Sequence, residues 1–230
     1  MRQFGGNIHI YLGWCRFLAL MMVVMLALAL MGSQPAAQAQ TGAKAATTAT
    51  VPAPVKTLGS KTAPITVEVF SDFQYPACKS LYEQTLRPLI DNYVVTGQVY
   101  LIHRDFPLEQ THRYSRLAAR YANAAARLGK FERVATALYG RQQNWSVDGN
   151  VDAAVAAVLT PAEMKKVRQW VEQPAQLDVA IDQDVRLGGR VPIRSTPTMI
   201  VMHRGSTYPL PPGGVNYSLL RQFLEELLRR

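Results

Sequence analysis

Cysteine is scarce in this chain: its 230 residues contain only Cys15 and Cys78. Neither lies at metal-ligand spacing from a histidine or from the other, so no metal is expected and no disulfide framework can be drawn. Clustered charge is also missing. Of the basic residues only Lys165-Lys166 and Arg229-Arg230 are adjacent, so the formal charge of +9 is spread over a solvated surface. Neither nucleic acid nor a lipid surface is expected as a partner. Internal repeats are absent, and no cofactor is expected. A long hydrophobic run occurs once, over residues 17–31. Closed by Arg16 and Gly32, it falls short of the ~20 apolar residues that a spanning helix needs.

What is present at the N-terminus has the layout of a secretory signal over residues 1–39. Arg2 and Arg16 form the positive end, the apolar run follows, and Ala37-Gln38-Ala39 is a small-x-small cleavage pattern. The expected destination is the periplasm or the cell exterior. If the segment stays uncleaved, it becomes the membrane anchor and the only membrane contact. Cys15 precedes the apolar run, where no lipidation site would lie. Cleavage removes two of 25 basic residues and none of 16 acidic ones, leaving +7. It also leaves Cys78 as a single thiol, in a compartment where disulfides persist.

Residues 40–57 are Ala, Thr, Pro and Lys without periodicity and read as a flexible tether, with the folded part expected over 58–230. The β-branched stretch 65–70 suits an interior strand. A loop follows, and then a helix opens on Pro76, with Leu81, Leu86, Leu89, Ile90, Tyr93 and Val94 turned to the core and Gly97 near its end. A second strand over 99–103 completes a right-handed parallel crossover. From about 111 to 188 the signals are helical: a stripe of Leu117, Ala118, Tyr121, Ala122 and Ala125, a helix over 131–139, and a capping box at Thr160-Pro161-Ala162-Glu163. Strands over 198–203 and 207–210 and an amphipathic helix capped by Asn216 close the chain.

Three separated stretches carry a resemblance. Phe70-Ser71-Asp72-Phe73-Gln74 leads into Tyr75-Pro76-Ala77-Cys78; Arg104-Asp105-Phe106-Pro107-Leu108 ends the second strand; Ser195-Thr196-Pro197-Thr198 precedes the third. In that order they resemble the DsbA-like branch of the thioredoxin superfamily, a family of thiol-disulfide oxidoreductases. The resemblance implies an α/β thioredoxin fold, a central mixed sheet flanked by helices, with a helical insertion at about 111–188. It further implies that Thr196-Pro197 is the cis-proline loop, which faces the cysteine motif and offers backbone groups to an extended substrate.

The same resemblance places the family's attacking cysteine, the first of Cys-x-x-Cys, at Tyr75. A phenol of pKa ~10 forms no sulfur-sulfur bond, so two-cysteine turnover is excluded. Cys78 takes the place of the resolving cysteine. The helix N-terminus favours its thiolate while burial opposes it. It reads either as a small buried hydrophobe or as a surviving monothiol catalytic residue. The family's buried acid falls at Val69, and strand alternation turns Glu68 to the other face as a structural acid. His103 and His112 read as strand-end and helix-start residues, and Asn144-Trp145-Ser146 fits a glycosylation sequon.

Two functions follow. One is a polypeptide-binding or redox-accessory module using Tyr75, Pro76, Ala77, Thr196 and Pro197. The other is a monothiol oxidoreductase forming mixed disulfides through Cys78 with thiol-containing protein clients or small thiols. A disulfide-linked dimer through Cys78 is a third, weaker option.

Overall fold

The computed structural model describes residues 56–191 and 193–230. The signal over 1–39, and the tether up to residue 55, lie outside the described residues. Five strands form one sheet in the order β1-β3-β2-β4-β5, where β1 is Thr57–Leu58, β2 Ile65–Ser71, β3 Val99–Asp105, β4 Thr198–His203 and β5 Ser206–Pro209. Strands β2 and β3 are parallel, with Ile65 opposite Val99 and Ser71 opposite Asp105, while the other pairs are antiparallel. This is the mixed sheet of a thioredoxin fold.

The expected tether over 40–57 ends two residues early. Lys56 is 7% exposed and makes ion pairs with Asp105 and Asp184, and Thr57 pairs with Ile102 across β1 and β3. Composition alone cannot show that a lysine has acidic partners 49 and 128 residues away.

Helix α1 opens as Pro76–Leu81 and runs on through two π-helical turns, Tyr82–Leu86 and Ile90–Val94, separated by Arg87–Leu89. The π turns explain an apolar spacing that does not fit 3.6 residues. Leu81 and Leu86, five apart, are both buried, as are Leu89, Ile90, Tyr93 and Val94. Gly97, at φ 76, then turns the chain back into β3, a backbone angle that glycine adopts without strain.

The insertion comprises six helices: α2 Ser115–Ala126, α3 Phe131–Gly140, α4 Gln142–Asp148, α5 Val151–Ala156, α6 Pro161–Glu172 and α7 Ala175–Arg190. Alanines 118, 119, 122, 124, 125 and 126 of α2 are all buried, and their small side chains let α3, α6 and α7 pack closely around it. Arg116 and Arg120 of α2 pair with Asp178 of α7 at 3.2 and 2.8 Å. At the start of α6 the Thr160–Glu163 capping box forms in both directions. The closing helix α8, Tyr217–Arg229, is capped by the Asn216 side chain, which accepts from the Leu219 N–H. It packs on α1, where Tyr93 donates to Glu225 at 3.2 Å. No helix among the described residues is long and apolar enough to cross a membrane.

Candidate functional site

Because β2 and β3 are parallel, their C-terminal ends lie side by side, and the chain leaving Ser71 loops directly into α1. Tyr75 is the N-cap of α1, with extended backbone (φ −80, ψ 124) and no side-chain cap, and Pro76 supplies the fixed φ of the first turn. Pro76 is exposed, Tyr75 and Ala77 are half-buried, and Cys78 is 1% exposed. The four residues of the motif therefore split: three face outward and the thiol faces the core.

Burial pushes the Cys78 thiol up to about 11 from its ordinary 9.0, and three neighbours oppose the rise without overcoming it. The Asp72 N–H donates to Sγ at 3.4 Å, and the nearby Ser71 and Thr196 hydroxyls also favour the thiolate. The Ser71 hydroxyl is already engaged with Tyr139 Oη at 2.7 Å. Among the described residues the buried Thr196 hydroxyl has no hydrogen-bond partner. The Thr196–Pro197 peptide bond is cis, and the Pro197 carbonyl accepts from Gly213 N–H at 3.0 Å. Thus the motif and the Thr196-Pro197 loop, 118 residues apart between Cys78 and Thr196, meet at the sulfur.

The loop before the motif is held by Asp72, 1% exposed. Its carboxylate accepts from Gln74 N–H at 2.7 Å, Leu108 N–H at 2.9 Å and His112 Nδ1 at 2.8 Å. The Tyr75 ring lies 5.2 Å from the His112 ring, tilted by 35°. From the insertion, Gln142 donates to the Phe73 and Tyr75 carbonyls at 2.7 and 3.0 Å, and Gln74 donates to the Ser146 carbonyl at 3.2 Å. Beneath the thiol, Tyr139 stacks on Tyr82 at 4.6 Å and lies tilted against Phe73 at 4.9 Å. Burial holds the Tyr139 phenol well above its usual range, so it stays neutral.

His112 sits at the motif, a position beyond the helix-start role expected from sequence, though its carbonyl does accept from the Ser115 N–H at 3.0 Å. His103 stacks on Phe73 at 5.0 Å and lies 3.4 Å from Asp105. Glu68 pairs with Arg104 at 2.6 Å and does not reach Cys78, while Val69 is buried in the core on the face expected of it. Asp72, Tyr139 and Gln142 carry no signal of their own in the sequence. Only the Phe70-to-Gln74 lead-in pointed to Asp72. Among the described residues no group of three or more His, Cys, Asp or Glu side chains is placed to hold a metal.

Comparison with known proteins agrees with this geometry. A family model described as thioredoxin matches residues 53–215. BdbD of Bacillus subtilis (oxidised) superposes with a TM-score of 0.65 at 18% identity, covering 77% of this chain and 94% of its own. A thioredoxin-like oxidoreductase of Silicibacter pomeroyi gives 0.61 at 25% identity, covering 76% and 92%. Wolbachia pipientis alpha-DsbA1 gives 0.60 at 17% identity, covering 75% and 89%. Among curated proteins, the Na(+)/H(+) antiporter NhaA 3 of Salinispora tropica is 37% identical over 73 residues. That segment is 32% of this chain and spans only 11% of the antiporter's length. With the matching model over most of its folded part, the chain belongs to the thioredoxin family, and its fold is that of the DsbA-type structures it superposes on.

Proposed function

We propose that this chain is an exported DsbA-like protein that binds extended polypeptide at Tyr75, Pro76 and Ala77, in a site completed by the buried Thr196 and Pro197, and does not carry out dithiol exchange. The observation that carries the reading is the state of Cys78. A thiol 1% exposed and pushed up to about 11 is almost entirely protonated at neutral pH and out of reach of a client disulfide. At pH 7 about one molecule in 10⁴ would hold the thiolate. Tyr75, which takes the outward position, contributes a phenol and no sulfur. What remains usable is shape: the exposed Pro76 with the half-buried Tyr75 ring and Ala77, a patch suited to an extended chain, while Thr196 and Pro197 are buried. The partners are then polypeptide clients. Export rests on the signal pattern over residues 1–39.

The monothiol alternative requires an accessible and acidic Cys78, and burial acts against both requirements. Two assays on one preparation separate the readings. The protein should not reduce insulin disulfides, and Cys78→Ala should bind a labelled unfolded peptide within about twofold of the wild type. Loss of peptide binding in Cys78→Ala, or disulfide reduction by the wild type, contradicts the proposal.

A further inference from the structure

A groove of about 810 Å³ lies along α1 and α3, separate from the thiol. Four cations line it, Arg87, Lys130, Arg133 and Arg141, against one carboxylate, Glu132. That carboxylate is already occupied. Arg87 donates to it at 2.7 Å and the Tyr82 hydroxyl at 2.7 Å. The five-residue spacing of Tyr82 and Arg87 brings both onto it through the π-helical turn of α1. Lys130 lies 3.2 Å from Glu163. Arg133 reaches only the Val158 carbonyl, at 3.4 Å, and among the described residues neither Arg133 nor Arg141 has a carboxylate partner.

Exposed cations on a flat or convex surface are ordinarily just solvated. These stand in a concave trough whose floor includes the buried Ala137, and such walls focus the field of like charges. A guanidinium is also less strongly hydrated than an ammonium and pairs with a carboxylate through two parallel hydrogen bonds. The groove is therefore built for an anion.

Its position indicates which anion. Arg141 caps the C-terminus of α3 and is followed by Gln142, whose side chain donates to the Tyr75 carbonyl at 3.0 Å. Lys130 is the N-cap at the far end of the same ten-residue helix. The trough thus ends at Arg141, one residue along the chain from the Gln142 that holds the motif, and follows a helix roughly 15 Å long, the reach of about four to five residues of extended chain. We infer that it binds an acidic stretch of the same polypeptide that engages the motif, with client carboxylates on Arg133 and Arg141. This inference rests on the polypeptide-binding reading above. A nucleic acid or an anionic membrane fits less well, since the basic residues elsewhere form no continuous footprint.

The test uses two labelled peptides that share one apolar segment and differ only in a following run of four glutamates or four glutamines, with binding read by fluorescence anisotropy. The wild type should bind the glutamate peptide about tenfold more tightly at low salt. That advantage should vanish in the Arg133→Ala/Arg141→Ala double variant and in ~0.5 M NaCl, while glutamine-peptide affinity stays unchanged. Both side chains lie at the surface, so the double variant keeps its fold. Equal affinities in the wild type, or an advantage that survives in the double variant, overturn the groove assignment and leave the motif reading standing. Binding of neither peptide overturns both. Arginine-dependent binding of a single-stranded oligonucleotide or of phosphatidylglycerol vesicles, without a glutamate–glutamine difference, overturns it in favour of a phosphate-bearing ligand.

Discussion

Tyr75 and Cys78 sit three residues apart on the first turn of α1, one facing out and one facing in, and that division decides what each can do. The outward residue determines whether a client disulfide can be attacked. Replacing it tests whether the rest of the scaffold still supports exchange. Tyr75→Cys places a thiol at the N-cap, where the unpaired N–H groups of the helix favour a thiolate, within one turn of Cys78. The variant should form an internal disulfide and reduce insulin, where the wild type does neither. A folded but inactive Tyr75→Cys protein would mean that the surroundings, His112 and Thr196 included, no longer support the chemistry. Losing the phenol also removes its contact with the His112 ring, so peptide affinity should fall in the same variant.

At the scale of elements, the site is an assembly of loops tied to α1. The loop after β5 approaches α1 so closely that a Cβ on Gly214, at φ +81, would stand 2.6 Å from Leu81 Cδ1. Gly205, at φ +79, has no atom within 4 Å of the same position. Both Gly→Ala changes incur the cost of a positive φ, and only Gly214→Ala adds a clash. Urea unfolding should show Gly214→Ala less stable than Gly205→Ala by about 1 kcal/mol, with weaker peptide binding in Gly214→Ala alone, because Gly213 is bonded to the Pro197 carbonyl. Equal losses would show that Leu81 moves aside freely.

Elements of this kind were legible in the sequence where the signal is local. Strand β4, the Thr160 capping box and the Asn216 cap lie where strand-forming and capping residues place them. Helices α4 and α5 were not legible. Each is short, at seven and six residues, and polar residues such as Gln142 and Asn144 hide the buried Trp145 and Val151. Strand β3 runs two residues past the expected end, since Arg104 and Asp105 look like loop residues until their partners Glu68, Lys56 and Asp184 are in view. The site divides in the same way. Motif and proline loop could be named from sequence, but the three bonds of Asp72 span up to 40 residues and come only from the fold.

For the whole molecule, the N-terminal edge of the described fold is fastened by charge. Burial alone would raise the Asp105 carboxyl; the Lys56 ammonium and His103 override it and hold it below the usual carboxylate range. A carboxyl held low stabilises the fold above its ordinary range, and that contribution is lost as the pH falls and Asp105 takes up a proton. Lys56→Ala leaves Asp105 and Asp184 facing each other without their shared cation, so stability at pH 7 should drop by about 3–5 kcal/mol. The deficit should shrink towards pH 4, where a proton on one carboxyl relieves the repulsion. A deficit independent of pH would show that packing of the lysine stem, and not its charge, holds β1 in place. With the fold held, the reading of the molecule as a binder without exchange chemistry stands or falls with the single thiol among its described residues. Alkylation of Cys78 in the native protein, followed from pH 6 to 11, tests this most directly. Labelling at neutral pH should be at least a hundredfold slower than in denatured protein, as expected of a buried, protonated thiol, rising only towards a pKa of about 11. Rapid labelling at pH 7 with a midpoint below the ordinary thiol value of 9.0 would contradict that reading.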